Sequence, residues 1–113
     1  MHTVTLEISS RDKINKRFLQ AFEGEPQGEF ISFDTPALLF KTLSGKRWEL
    51  LKIMTGAGPI TIREAARRIG RDVKAVHSDV HALLNTGLLQ KTDNGRIVFP
   101  FDAVHVDFML KAA

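Results

Sequence analysis

The stretch Pro59–Phe99, P-I-T-I-R-E-A-A-R-R-I-G-R-D-V-K-A-V-H-S-D-V-H-A-L-L-N-T-G-L-L-Q-K-T-D-N-G-R-I-V-F, governs how this chain reads. Thr61-Ile62-Arg63-Glu64 has the form of a capping box, in which a hydroxyl and a carboxylate each satisfy an orphan backbone N–H at a helix start. Ile62, Ala65, Ala66 and Ile69 form the buried stripe of that helix, and Gly70 ends it in the left-handed conformation. Asp72 caps a second helix. At 100° per residue, Val73, Val76, Val80, Leu83 and Leu84 fall in one apolar sector. Arg71, Lys74, Ser78, His81 and Asn85 lie opposite, with His77 and Asp79 on the flanks. The outward row carries donors and no carboxylate. Gly87 stops the helix, and Asp93-Asn94-Gly95 between Leu88–Lys91 and Arg96–Phe99 predicts a hairpin.

Upstream of this stretch, Thr35-Pro36 opens a helix over Pro36–Leu43, because proline at the first helical position gives up only an N–H that was unpaired anyway. Leu38, Leu39 and Leu43 are its core residues. Ser44 caps a further helix to about Thr55, with Trp48, Leu51 and Met54 on one face and Gly56 ending it. At the N-terminal end, Thr3–Ser9 alternates with period two, Val4, Leu6 and Ile8 on one side and Thr3, Thr5, Glu7 and Ser9 on the other. That pattern argues for a half-buried strand. Ile14, Phe18, Ala21 and Phe22 give an amphipathic helix over Arg11–Glu23, and Glu29–Phe33 a second strand. Beyond Pro100, Val104, Val106, Phe108 and Leu110 predict a last strand over 103–110. Trp48 and the eight phenylalanines read as core.

The expectation is an α+β fold in three parts. Residues 1–34 form a strand–helix–strand extension, 35–100 the helical module with its hairpin, and 101–113 a C-terminal strand.

The 113 residues suffice for one core, and 43% apolar with 26% charged is the balance of a soluble globular chain. No run is long enough to span a bilayer, and the N-terminus lacks a signal layout, so no membrane partner is expected. The absence of cysteine excludes disulfides and thiolate chemistry and suits a cytoplasmic location. The net charge of +3 is unevenly spread. Lys41–Phe99 holds eleven Lys/Arg against five acids, and the remainder holds five against eight. Positive charge therefore gathers on the helix–turn–helix stretch, as a phosphate-binding surface requires.

Reading a major groove needs long or forked donors on a rigid helix, with neighbours that fix register on the phosphates. Arg71, Lys74, Ser78, His81 and Asn85 are the candidate readers. Arg63, Arg67 and Arg68, with Lys91 and Arg96 on the hairpin, are candidate phosphate clamps. A solvated basic face is the plainer alternative. His77-x-x-x-His81 has the spacing of a two-ligand metal site, but no cysteine or carboxylate completes it, and the pair reads as surface histidines. No glycine-rich phosphate loop, nucleophile elbow or framed carboxylate pair occurs. No enzyme, catalytic residue or cofactor is expected.

Across Ile60–Val98 the chain resembles the winged helix-turn-helix regulators of the MarR/ArsR type. The carriers are the capped helix, the V-x-x-x-V-x-x-L second helix and the G-L-L exit. L-E-I-S-S-R-D near the start, L-S-G-K-R-W-E-L-L and the closing V-H-V-D-F look like a smaller group of predicted prokaryotic regulators, often encoded beside a small toxin as its antitoxin. The resemblance implies a homodimer on a palindromic double-stranded DNA operator, repression of its own operon and a possible toxin partner. By position it carries Arg71, Lys74, His77, Ser78 and His81 as recognition residues and Lys91 and Arg96 as wing residues. Many such regulators carry arginine where Ser78 stands, which leaves the main base reader open. The rival readings are a module whose main role is neutralising a toxin, and a ligand-sensing repressor. The strands 3–9 and 103–110 are candidates for dimerisation or docking, since they lie outside the DNA module and would leave sheet edges unpaired in a single copy.

Overall fold

The computed structural model describes residues 2–9, 19 and 28–109. Their order is β1 (Thr3–Ile8), β2 (Glu29–Phe33), α1 (Pro36–Thr42), α2 (Gly45–Met54), α3 (Ile62–Ile69), α4 (Val73–Thr86), β3 (Gln90–Lys91), β4 (Ile97–Val98) and β5 (Ala103–Asp107). This is an α+β fold with a parallel sheet in the order β2-β1-β5 and a small antiparallel hairpin β3-β4. The helix expected over Arg11–Glu23 lies outside the described residues apart from Leu19.

The parallel sheet corrects the reading of the two ends. β1 pairs with β5 from Thr3↔Ala103 to Glu7↔Asp107, and on its other side with β2 from Val4↔Glu29 to Ile8↔Phe33. The end strands therefore pair with each other, and β1 has both edges filled. β2 and β5 flank β1, and the chain between them runs through α1–α4. Parallel sheets are mostly covered on both faces. Glu7, expected on a polar outer face, is only 2% exposed and accepts a hydrogen bond from Ser32 Oγ at 3.0 Å. β5 stops at Asp107, short of the expected 103–110 strand.

The ends are further fastened by His2. Its backbone N–H donates to Asp102 Oδ2 at 2.7 Å, and its ring nitrogens lie 3.0 Å from the Pro100 carbonyl and 3.1 Å from Glu29 Oε1. The bond to Glu29 is the main reason its pKa is raised.

One apolar core joins sheet and helices. It contains Val4, Leu6 and Phe33 from the sheet, Leu39 of α1, Leu50, Leu51 and Met54 of α2, Ala65 and Ala66 of α3, and Val76, Val80 and Leu83 of α4. Leu88, Leu89, Ile97, Phe99 and Phe101 close it below the hairpin. Each buried aliphatic side chain stabilises the fold by roughly 1.5–3 kcal/mol. Several residues expected in the core stand out of it, Val106 of β5 among them. Leu38, Phe40 and Trp48 are exposed on α1 and α2, and Phe30 on β2. Apolar identity alone does not place a side chain on the narrow face that a short helix buries.

The caps follow the sequence closely. Thr35 Oγ1 accepts from Leu38 N–H at 3.1 Å with Pro36 at the helix start. Ser44 occupies the cap position of α2 without a side-chain cap bond. Gly70 and Gly87, at φ 71° and 87°, end α3 and α4.

Candidate functional site

α3, a tight turn and α4 form the centre of the site. Thr61 Oγ1 accepts from Glu64 N–H at 3.0 Å, so one half of the expected capping box forms. The other half does not. The Glu64 carboxylate turns instead to Arg67, with Nε at 2.7 Å and Nη2 at 2.6 Å, and to Arg68 Nε at 3.2 Å. The Arg67 bond is the largest cause holding the Glu64 carboxyl down at about 2. Two of the arginines expected to clamp phosphates thus share a carboxylate, although both remain exposed.

Arg71 departs furthest from its expected position. The helical wheel sets it opposite the core, but Asp72 is the cap, accepting from Lys74 N–H at 3.0 Å. Arg71 therefore precedes the helix, and a wheel angle does not describe it. Its Nη2 lies 2.8 Å from Asp79 Oδ2, and Arg47 Nε of α2 donates to Asp79 Oδ1 at 3.0 Å. Arg47 Nη1 also donates to the Thr42 carbonyl at 3.1 Å. The Asp79 side chain is 13% exposed, with Arg71 at 20% and Arg47 at 23%. Burial opposes ionisation of Asp79, but the flanking guanidiniums outweigh it and hold the carboxyl below its ordinary value. This triad ties the end of α1, α2, the turn and α4 together. Val73, expected in the core, is 43% exposed. As the first residue of α4 it stands where the helix has not yet closed on its neighbours.

The outward row of α4 is as expected. Lys74, His77, Ser78, His81 and Asn85 are all exposed, while Val76, Val80 and Leu83 are buried. The His77 and His81 rings have centroids 4.2 Å apart, with their planes tilted by 48°.

The hairpin is shorter than expected, with two residues in each strand. Its turn is not a two-residue Asn-Gly turn, which would put both residues at positive φ. Gly95 alone has positive φ, 80°, in this turn. Thr92 N–H donates to the Arg96 carbonyl at 2.8 Å and Gly95 N–H to the Thr92 carbonyl at 3.0 Å, enclosing Asp93-Asn94-Gly95 as a three-residue loop. Ile60, just before α3, pairs with Ile97 through bonds of 2.9 and 2.8 Å. That bridge, unmarked in the sequence pattern, fixes the hairpin to the start of α3.

Two open depressions flank the α3 start. One, of about 560 Å³, is lined by Arg63, Arg67, Gly70, Arg71 and Val73. The other, of about 360 Å³, is lined by Pro59, Ile60, Arg68 and Arg96, and Thr61 and Glu64 border both. The side chains of Arg63, Lys74, Lys91 and Arg96 are exposed and form no ion pair with another described residue.

A family model described as HVO_A0114 matches residues 42–106, more than half of the chain. The chain belongs to the HVO_A0114 family. The matched segment runs from the end of α1 into β5 and includes every candidate site residue. β1 and β2 lie outside it. No curated protein and no solved structure was found to match.

Proposed function

We propose that this chain is a winged helix-turn-helix, sequence-specific regulator of transcription that lays α4 in the major groove of double-stranded DNA. One observation carries the reading. The exposed row of α4 offers Lys74, His77, Ser78, His81 and Asn85, while its neighbouring acids are already occupied: Asp72 as a cap, Asp79 between two arginines and Glu64 on Arg67 and Arg68. The free charge beside α4 is therefore positive, as a phosphate-lined groove requires. Asp93 at the hairpin tip is the exposed exception.

On this reading the basic residues divide the work. Lys74, on the first turn of α4, is the main base reader, since recognition helices are read through their N-terminal residues. Arg71 is a positioning residue that locks the turn and α4 through Asp79. Arg63, Lys91 and Arg96, without an ion-pair partner among the described residues, contact phosphates, and the Ile60–Ile97 bridge supports the hairpin as the wing. A two-fold operator calls for two copies of the chain. Autorepression and toxin neutralisation rest on the sequence resemblance alone.

The test is binding of a labelled duplex from the chain's own upstream region, followed by fluorescence anisotropy. Lys74→Ala with Arg63→Ala is expected to weaken binding at least about tenfold, since a base contact contributes roughly 1–3 kcal/mol, with little change in Tm. Unchanged affinity in a folded double variant overturns the assignment of α4.

A further inference from the structure

We propose that His77 and His81 form a chelating site for a late first-row divalent cation (Ni²⁺, Cu²⁺ or Zn²⁺) on the exposed face of α4. The two Nε2 atoms lie 3.1 Å apart. Two imidazole nitrogens bound to one cation at about 2.0–2.1 Å, subtending a tetrahedral or cis-octahedral angle, stand about 2.9–3.4 Å apart. The observed separation falls inside that window and corresponds to an angle of about 98° at a cation 2.05 Å from each nitrogen. The i, i+4 spacing brings the rings to one side of the helix, and the rotamers already converge, so little side-chain freedom remains to be lost on binding.

The chemistry selects the cation class. Imidazole suits Zn²⁺, Cu²⁺ and Ni²⁺, and the Irving–Williams order favours them over earlier metals, whereas Mg²⁺ and Ca²⁺ prefer oxygen ligands. Without a cation, one Nε2 donates a proton to the other. Cation entry needs both Nε2 lone pairs, so the donor ring moves its proton to Nδ1, a tautomer change with no net release of a proton. Among the described residues no cluster of three or more His, Cys, Asp or Glu forms. The site is thus a two-point chelate whose other positions are left to water or to an incoming ligand. It stands independently of the DNA reading.

The experiment is titration of the full chain with NiCl₂ by calorimetry, with MgCl₂ as control. One Ni²⁺ per chain is expected, and Mg²⁺ gives no heat. His77→Ala and His81→Ala each weaken Ni²⁺ binding by at least about tenfold, because removing even an outer-shell partner costs that much. Both side chains are exposed, so circular dichroism should confirm an unchanged fold. His2→Ala and His105→Ala retain wild-type affinity. Absence of Ni²⁺ binding, or its disappearance on removing His2 or His105 while His77→Ala keeps it, overturns the proposal.

Discussion

Replacing Asp79 by asparagine keeps the side chain's shape and removes its charge, which isolates the contribution of the Arg47–Asp79–Arg71 triad. The carboxylate has Arg71 Nη2 at 2.8 Å and Arg47 Nε at 3.0 Å, and all three side chains are at least three-quarters buried. Exposed ion pairs contribute about 0.2–1 kcal/mol, and breaking a fully buried one costs about 3–5 kcal/mol. Here the substitution leaves two partly desolvated guanidiniums around a neutral amide, one of them with Arg71 Nη1 already buried and unpartnered among the described residues. A destabilisation of about 2–3 kcal/mol follows, which for a domain of this size lowers Tm by about 10 °C. Thermal unfolding at neutral pH measures it. The pH dependence provides a second check. Asp79 has a depressed folded pKa, so its stabilisation is complete above the ordinary aspartate value near 4 and disappears as pH falls through the folded value. The difference between wild type and Asp79→Asn should therefore shrink in acid. A drop below about 2 °C at neutral pH, or a difference that does not change between neutral pH and strong acid, rules out a stabilising charge triad.

Two further outcomes are expected. Lys91→Ala with Arg96→Ala should weaken binding to all duplexes alike. The slope of log affinity against log salt should fall by about 0.9 for each phosphate no longer neutralised, measured by anisotropy across a salt series. Gly95→Ala meets no atom within 4 Å, so its cost, about 1–2 kcal/mol, is backbone strain at positive φ alone, read as a lowered Tm.

The α3–turn–α4 unit is legible in the sequence because short-range rules govern it. A threonine cap, an αL glycine and an aspartate cap each act within a few residues, and the 3.6-residue period sorts Val76, Val80 and Leu83 inward. Contacts between distant parts of the chain leave no such local mark. Nothing local says that Asp79 meets Arg47 of α2, that Ile60 bridges to Ile97, or that β1 takes β5 on one edge and β2 on the other. Glu7, set outward by the alternation, is buried beside Ser32 of the paired strand. Arg71 and Val73 escape the helical wheel for a different reason. They stand before and at the first residue of the helix, where the backbone does not yet follow the wheel's angles.

Selection from a pool of random-sequence duplexes puts major-groove reading by α4 to its plainest test, since it presupposes no operator. Enrichment of a two-fold consensus is expected, with half-sites about one helical turn apart, 34–36 Å between centres. Lys74→Ala should blur that consensus, while Lys91→Ala with Arg96→Ala should only lower recovery. A folded protein that retains duplexes without any consensus, or retains none, would contradict the assignment of α4 as a DNA-reading helix.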